Sequence, residues 1–404
     1  MIYNESIQSV YVKIMWLLTV GLYICIPLGI GLISLLYNAI LMVTLAVILL
    51  TVITNIVERG NTKLGSLQLL FMLLLGICVV FSLMQTEEES LTFSAHGMGI
   101  LGFFEMVGSI YVVGFTKCTK DLKKFIFAVN LVISVVLIGF SFMPGIAYSG
   151  KLEDSLYLGF NNPNETAVYL MANICILMLF FDVLKRWLYK IPLLCVIAYL
   201  SYLLYCTNSR TALIATILVI VYQLFARKWR VPKWVIFVAV LFPVIFLQVY
   251  AYLFENHYFL DAEILDKPFY SGREDDFIRV LDNLKGEWLF GDAGKYHFTN
   301  LHNGPLSILA SVGVMGYVTY LLSIFSTLRY YYNGIKTKSQ TIALIAILAI
   351  FVHSSAEATF IVGGTHYSII VATFYLLLRD DGEEEKTERV PFLRRSAWDE
   401  LQRR

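Results

Sequence analysis

Twelve stretches of about twenty mostly apolar residues, divided by short polar segments, constrain this chain more than any other feature. They fall near 14–34, 36–56, 65–85, 97–116, 124–143, 165–184, 188–206, 208–226, 233–254, 303–327, 340–356 and 365–379. A helix rises 1.5 Å per residue, so about twenty residues carry it across some 30 Å of hydrocarbon. A chain of 404 residues that is 58% hydrophobic and 15% charged does not suit a soluble fold, since soluble proteins carry about a quarter charged residues. Six cysteines are too few for a disulfide scaffold. Four of them (Cys25, Cys78, Cys175 and Cys195) lie inside apolar runs, where a thiol behaves as a small hydrophobe. A net charge of +1 supplies no basic field for nucleic acid. The expectation is an all-α polytopic membrane protein with about twelve transmembrane helices.

Orientation follows from the basic residues. With the amino terminus inside, the inner loops and tail hold 24 of the 31 Lys and Arg residues. The outer side keeps Lys151, Arg210, Lys267, Arg273, Arg279, Lys285 and Lys295. Such a split matches the positive-inside bias, so both termini are expected in the cytoplasm. The transmembrane domain is expected over 1–379, with one large extracytoplasmic loop at 255–302 and a cytoplasmic tail at 380–404. The first window lacks a small-residue cleavage site and is expected to be retained rather than removed as a signal peptide.

Few cations face outward, so each is informative. Arg210 stands in Thr207-Asn208-Ser209-Arg210-Thr211-Ala212, a polar break between two apolar runs. It either snorkels to the interface or grips an anionic head group, since its planar fork donates two hydrogen bonds to one phosphate. In the long loop, Ser271 and Glu274 read as a capping box. Phe277, Val280, Leu281, Leu284 and Trp288 then recur at helical spacing, with Gly286 as a stop. Arg273 sits in the first turn, where the helix dipole disfavours a cation; it pairs with Asp275 or Asp276, or it shares an anion with the free backbone N–H groups. Arg279 is a further candidate for substrate contact. The loop carries ten acids against five bases, so any anion site in it must be local.

His302-Asn303-Gly304-Pro305 opens the tenth window, with Asn303 as cap and Pro305 in the first turn. His302 would hang at the outer surface, as an interfacial group bonding water or as one that moves a proton near neutral pH. His353 and Glu357 are four apart at the end of the eleventh window, and His366 starts the next. The spacing permits a metal site, but a hydrogen-bonded pair is the simpler expectation. Glu105 lies inside the fourth window and must face the bundle interior or a wet cavity. Asn161-Asn162-Pro163-Asn164, opening the sixth window, is explained by turn chemistry; its amides, those of Asn161 and Asn164 included, also suit sugar hydroxyls. No P-loop, Gly-rich dinucleotide motif or DxD-type pair gives nucleotide chemistry a seat.

Four pieces in this order resemble the superfamily of O-antigen ligases and Wzy-type polysaccharide polymerases. They are Gly159-Phe160-Asn161-Asn162-Pro163-Asn164, Asn208-Ser209-Arg210-Thr211-Ala212, Ser271-Gly272-Arg273 and His302-Asn303. The likeness covers roughly 150–360; the first 150 residues match in hydropathy alone. One departure is Ala310-Ser311-Val312-Gly313, where many members carry an acid in a Glu-x-Gly pattern. The resemblance implies a GT-C-like, metal-independent glycosyltransferase of the bacterial cytoplasmic (inner) membrane, working without a cofactor at its outer face. Donor and acceptor would be undecaprenyl-pyrophosphate-linked oligosaccharides, with membrane lipid, a chain-length regulator and a flippase as further partners. Arg210 and Arg273 would hold the leaving pyrophosphate, and His302 would activate or position the acceptor hydroxyl. Asn161, Asn164, Arg279, Asn303, His353 and Glu357 are the expected substrate-binding residues. Repeat-unit polymerisation is favoured over ligase-type transfer to another acceptor. A transporter is disfavoured because the notable polar groups gather at one end of the windows instead of the midplane.

Overall fold

The computed structural model describes residues 2–57, 63–85, 93–114, 116, 118–148, 155–160, 162–181, 184, 186–225, 231–263, 268–270, 274–296, 301–357 and 367–379. Asn161, the Ser271-Gly272-Arg273 triplet, His366 and the tail from Asp380 lie outside these residues. Among those described, the chain is helical, and its extended pairing is a single isolated bridge between Glu263 and Pro268. The helices are α1 (Ile2–Cys25), α2 (Ile33–Val57), α3 (Lys63–Gln85), α4 (Phe93–Val113), α5 (Lys120–Ser141), α6 (Pro144–Ala147), α7 (Pro163–Phe181) and α8 (Trp187–Cys206). They continue with α9 (Arg210–Phe225), α10 (Lys233–Glu255), α11 (Glu274–Asn283), α12 (Ala293–Tyr296), α13 (Gly304–Tyr332), α14 (Lys338–His353) and α15 (Tyr367–Leu378).

Among the described residues, eight helices are long and apolar enough to cross a membrane: α1, α2, α3, α5, α7, α8, α10 and α13. The other four windows hold the shorter apolar helices Ile100–Val113 within α4, α9, α14 and α15. The first window is displaced toward the amino terminus, because α1 closes at Cys25 and Pro27 cannot extend the N–H ladder.

Burial sorts helices that hydropathy alone leaves alike. Every residue of α7 from Thr166 to Phe181 is buried, as is every residue of α15. Helix α7 packs on α8, α9 and α5, while α14 packs on α9, α10 and α15. A helix apolar on all sides belongs in such a centre. Helices α2 and α8 lie at the periphery and show Leu35, Met42, Trp187 and Leu188 outward. Glu105 is fully buried, accepting from Ser368 Oγ at 3.1 Å and Thr44 Oγ1 at 3.5 Å. These hydroxyls answer the cost of placing a carboxyl group among apolar helices.

The amphipathic helix between α10 and α13 forms as α11. Phe277, Val280 and Leu284 join Leu247, Tyr250 and Leu306 in a small second core. The apolar stripe is shorter than its spacing suggests: α11 ends at Asn283, and Trp288, beyond it, is exposed.

Helix α13 is broken at Gly313, whose φ of 61° and ψ of −169° are open to glycine. The loop at 288–293 stitches the break. Val314 and Met315 donate their N–H groups to the carbonyls of Trp288 (2.9 Å) and Leu289 (3.1 Å). Asp292 N–H donates to the Ala310 carbonyl at 2.8 Å, and Ser82 Oγ to that of Ser311 at 2.7 Å. A helix break among apolar helices persists when its freed backbone groups find partners of this kind.

Candidate functional site

Three helix ends meet at one end of the bundle. Asn303 caps α13 by accepting from Leu306 N–H at 3.0 Å, and its Nδ2 donates to the Ser355 carbonyl at 2.8 Å. Gly304 N–H donates to the Ser354 carbonyl at 2.8 Å, so the start of α13 is tied to the end of α14. Asn303 is fully buried with both amide atoms engaged, so its work is to position the residue before it. We expect Asn303→Ala to lower stability by about 1–2 kcal/mol for the lost cap and further for the stranded Ser355 carbonyl. Thermal challenge of the solubilised protein, read by the fraction that stays monodisperse, checks this.

The end of α14 differs from the eleventh window. Ser354 and Ser355 turn their hydroxyls back onto the carbonyls of Phe351 (2.6 Å) and Val352 (2.8 Å), and the helix stops at His353. Glu357 therefore lies past the end of the helix. His353 is fully buried, and its carbonyl accepts from Glu357 N–H at 3.2 Å. The Glu357 carboxylate reaches two other elements. His302 Nδ1 lies 3.4 Å from Oε1 and 3.3 Å from Oε2, and Asn164 Nδ2 donates to Oε1 at 2.8 Å.

Asn164 reaches that carboxylate because of the turn before it. Gly159 adopts a φ of 79°, and a Cβ there would lie 2.5 Å from Pro27 Cα, so only glycine fits. Asn162 Oδ1 then accepts from Asn164 N–H at 2.9 Å, an Asx turn that starts α7. His302 itself has a φ of 56°, a left-handed conformation that costs a non-glycine residue roughly 1–2 kcal/mol. Strain of this kind gathers at functional positions.

Exposure divides the roles. The Glu357 side chain is 5% exposed and that of His302 is 35% exposed. A shielded carboxylate beside Nδ1 favours the tautomer with its proton there, which leaves Nε2 as the acceptor of the ring. A contact of 3.3–3.4 Å is looser than the usual charge-assisted bond. The pair Glu357–His302 is 55 residues apart in sequence, and the spacing to His353 had pointed elsewhere.

Arg210 opens α9 and donates from Nη1 to the Pro268 carbonyl at 3.0 Å. The bond ties the start of α9 to the segment that leads, five residues on, into Arg273. Asn208, left-handed at φ 58°, donates to Ser155 Oγ at 3.3 Å and fixes the turn between α8 and α9 near the approach to α7. Arg279 is exposed on α11, on the side away from the small core. The structure thus brings Asn164, His302 and Glu357 together, with Asn303 beneath them. Among the described residues, no three His, Cys, Asp or Glu side chains are gathered to hold a metal ion.

These elements define an all-helical protein, with eight helices among the described residues that are long and apolar enough to cross a bilayer and polar side chains drawn together where three helices end. No protein-family model matches the chain, and neither does any curated protein or any solved structure.

Proposed function

We propose that this chain is a twelve-span membrane glycosyltransferase that joins undecaprenyl-pyrophosphate-linked oligosaccharide repeat units into a bacterial surface polysaccharide. The observation that carries the reading is the Asn164–Glu357–His302 constellation, a reachable imidazole backed by a shielded carboxylate. A sugar hydroxyl is a poor nucleophile until a base takes its proton. His302 Nε2 is suited to that step, with Glu357 stabilising the imidazolium that results. The acceptor oxygen then bonds to the anomeric carbon of the donor as the bond from that carbon to the pyrophosphate oxygen breaks. The leaving pyrophosphate needs fixed positive donors for its charge, the role proposed for Arg210 and Arg273. The donor arrives activated, so the reaction calls for no nucleotide.

Strains carrying Arg210→Ala or Arg273→Ala in place of the native gene test the reading. The expected result is loss of long polymer with membrane insertion intact, and single repeat units accumulating on the carrier lipid. Long polymer accumulating on the carrier would assign a ligase instead. Normal polymer length in both strains would remove the enzyme reading.

A further inference from the structure

At the opposite ends of α13 and α14 from the candidate site, a cavity of about 350 Å³ opens between three helices. Val231, Ile335 and Leu344 give it an apolar floor, and Lys233, Tyr332 and Asn333 line its polar side. Lys233 Nζ stands 5.7 Å from the centre of the Tyr332 ring, and Tyr332 donates its hydroxyl to the Val231 carbonyl at 2.6 Å. Both polar walls are thereby fixed to one another. Helix α10 begins at this wall behind Pro232, which supplies no side-chain cap, so the positive end of the helix dipole lies beside the cavity.

The sequence flanking these lining residues carries charge of one sign. Residues 226–235 carry Arg227, Lys228, Arg230 and Lys233, and residues 328–342 carry Arg329, Lys336 and Lys338; neither segment holds an acid. In a chain whose net charge is +1, this is a marked local excess. Topological bias explains why cations gather on one side. It does not call for a cavity that joins an apolar floor to an ammonium group and an uncapped helix start.

We propose that this cavity is a binding site for a phosphate-bearing anion, namely the headgroup of an anionic phospholipid. The phosphate would sit against the Lys233 ammonium group at the first turn of α10, and the glycerol backbone would run over the Val231–Leu344 floor. Basic pockets between helix ends take lipid phosphates in this way, and the volume falls within the usual range for small-ligand sites. The site is independent of the glycosyl-transfer chemistry at the other end of the bundle.

The test uses the full-length purified protein, titrated with phosphatidylglycerol or phosphatidylcholine of the same acyl length and read by native mass spectrometry. Inorganic phosphate is titrated in parallel by calorimetry. Wild type is expected to prefer phosphatidylglycerol, and Lys233→Gln to weaken that binding about five-fold. Thr341→Phe, which fills the cavity from α14, is expected to do the same. Lys233 is exposed, so its replacement leaves the core untouched and the elution profile checks folding. Lys233-dependent binding of inorganic phosphate without lipid preference would support the phosphate site and assign it to a soluble ligand. Equal binding of both lipids by wild type with no phosphate binding, or undiminished binding in both variants, would overturn the proposal.

Discussion

Replacing His302 by Asn is expected to cut glycosyl transfer by about 10²–10⁴-fold while the protein still folds and inserts. The expectation rests on separating two properties of the position. The backbone at His302 is left-handed, at a φ of 56°, and Asn is among the few residues that accept that conformation readily. Asn also keeps a donor within reach of Glu357, so the shielded carboxylate is not left stranded, which would itself cost stability. What Asn lacks is a ring nitrogen that can take a proton. Glu357→Gln is expected to cost less, about ten- to a hundred-fold, since the imidazole remains but loses the group that orients it. Transfer is measured as repeat units joined per unit time by equal amounts of inserted protein. Activity in His302→Asn close to that of wild type would mean that the imidazole does not act as the base.

Gly313→Ala is expected to be the most destabilising single methyl addition in the described chain, at about 3–5 kcal/mol. A Cβ on Gly313 would lie 2.4 Å from the carbonyl carbon and oxygen of Leu289 and 2.5 Å from Phe290 N. Those are backbone atoms, and they cannot retreat without releasing α13: the Leu289 carbonyl holds Met315 N–H, and its neighbour Trp288 holds Val314 N–H. The φ of 61° adds the ordinary cost of a left-handed L-residue. Gly139→Ala in α5 is the matched control, because a Cβ there meets nothing within 4 Å. Size exclusion after graded heating should show Gly313→Ala losing its monodisperse peak well before wild type, and Gly139→Ala behaving like wild type. Equal survival of the two variants would mean that the loop at 288–293 does not brace the break.

The contrast between these two glycines shows what the amino-acid sequence discloses and what it withholds. Hydropathy locates the helices well, because twenty apolar residues in a row leave few other options. It is blind to which helices form the centre: Leu170 in α7 is fully buried and Leu35 in α2 is 62% exposed, yet both are leucines in apolar runs. Lipid and protein interior reward the same side chains, so the alternation that marks an inward face in water is missing. Gly313 is equally silent, since a glycine in an apolar run gives no sign that a loop will be sewn to it. The site was half legible. His302, Asn303, Asn164 and Glu357 each stood out as polar residues at the edge of a window. The pairing of Glu357 with His302 did not, because it joins elements 55 residues apart, and the nearer partner, His353, lay at an inviting helical spacing. Helix α14 ends at His353, ahead of the carboxylate, and serine pairs are too common in apolar runs to announce such a stop.

The most direct test supplies purified full-length protein in lipid vesicles with a synthetic oligosaccharide on polyprenyl pyrophosphate, and follows glycan length together with free polyprenyl pyrophosphate. If the site is what we propose, the glycan lengthens by whole repeat units, one carrier pyrophosphate is released for each unit joined, and both signals collapse in His302→Asn. Folded wild-type protein that returns the donor unchanged, or lengthening that persists undiminished without the imidazole, would contradict the account.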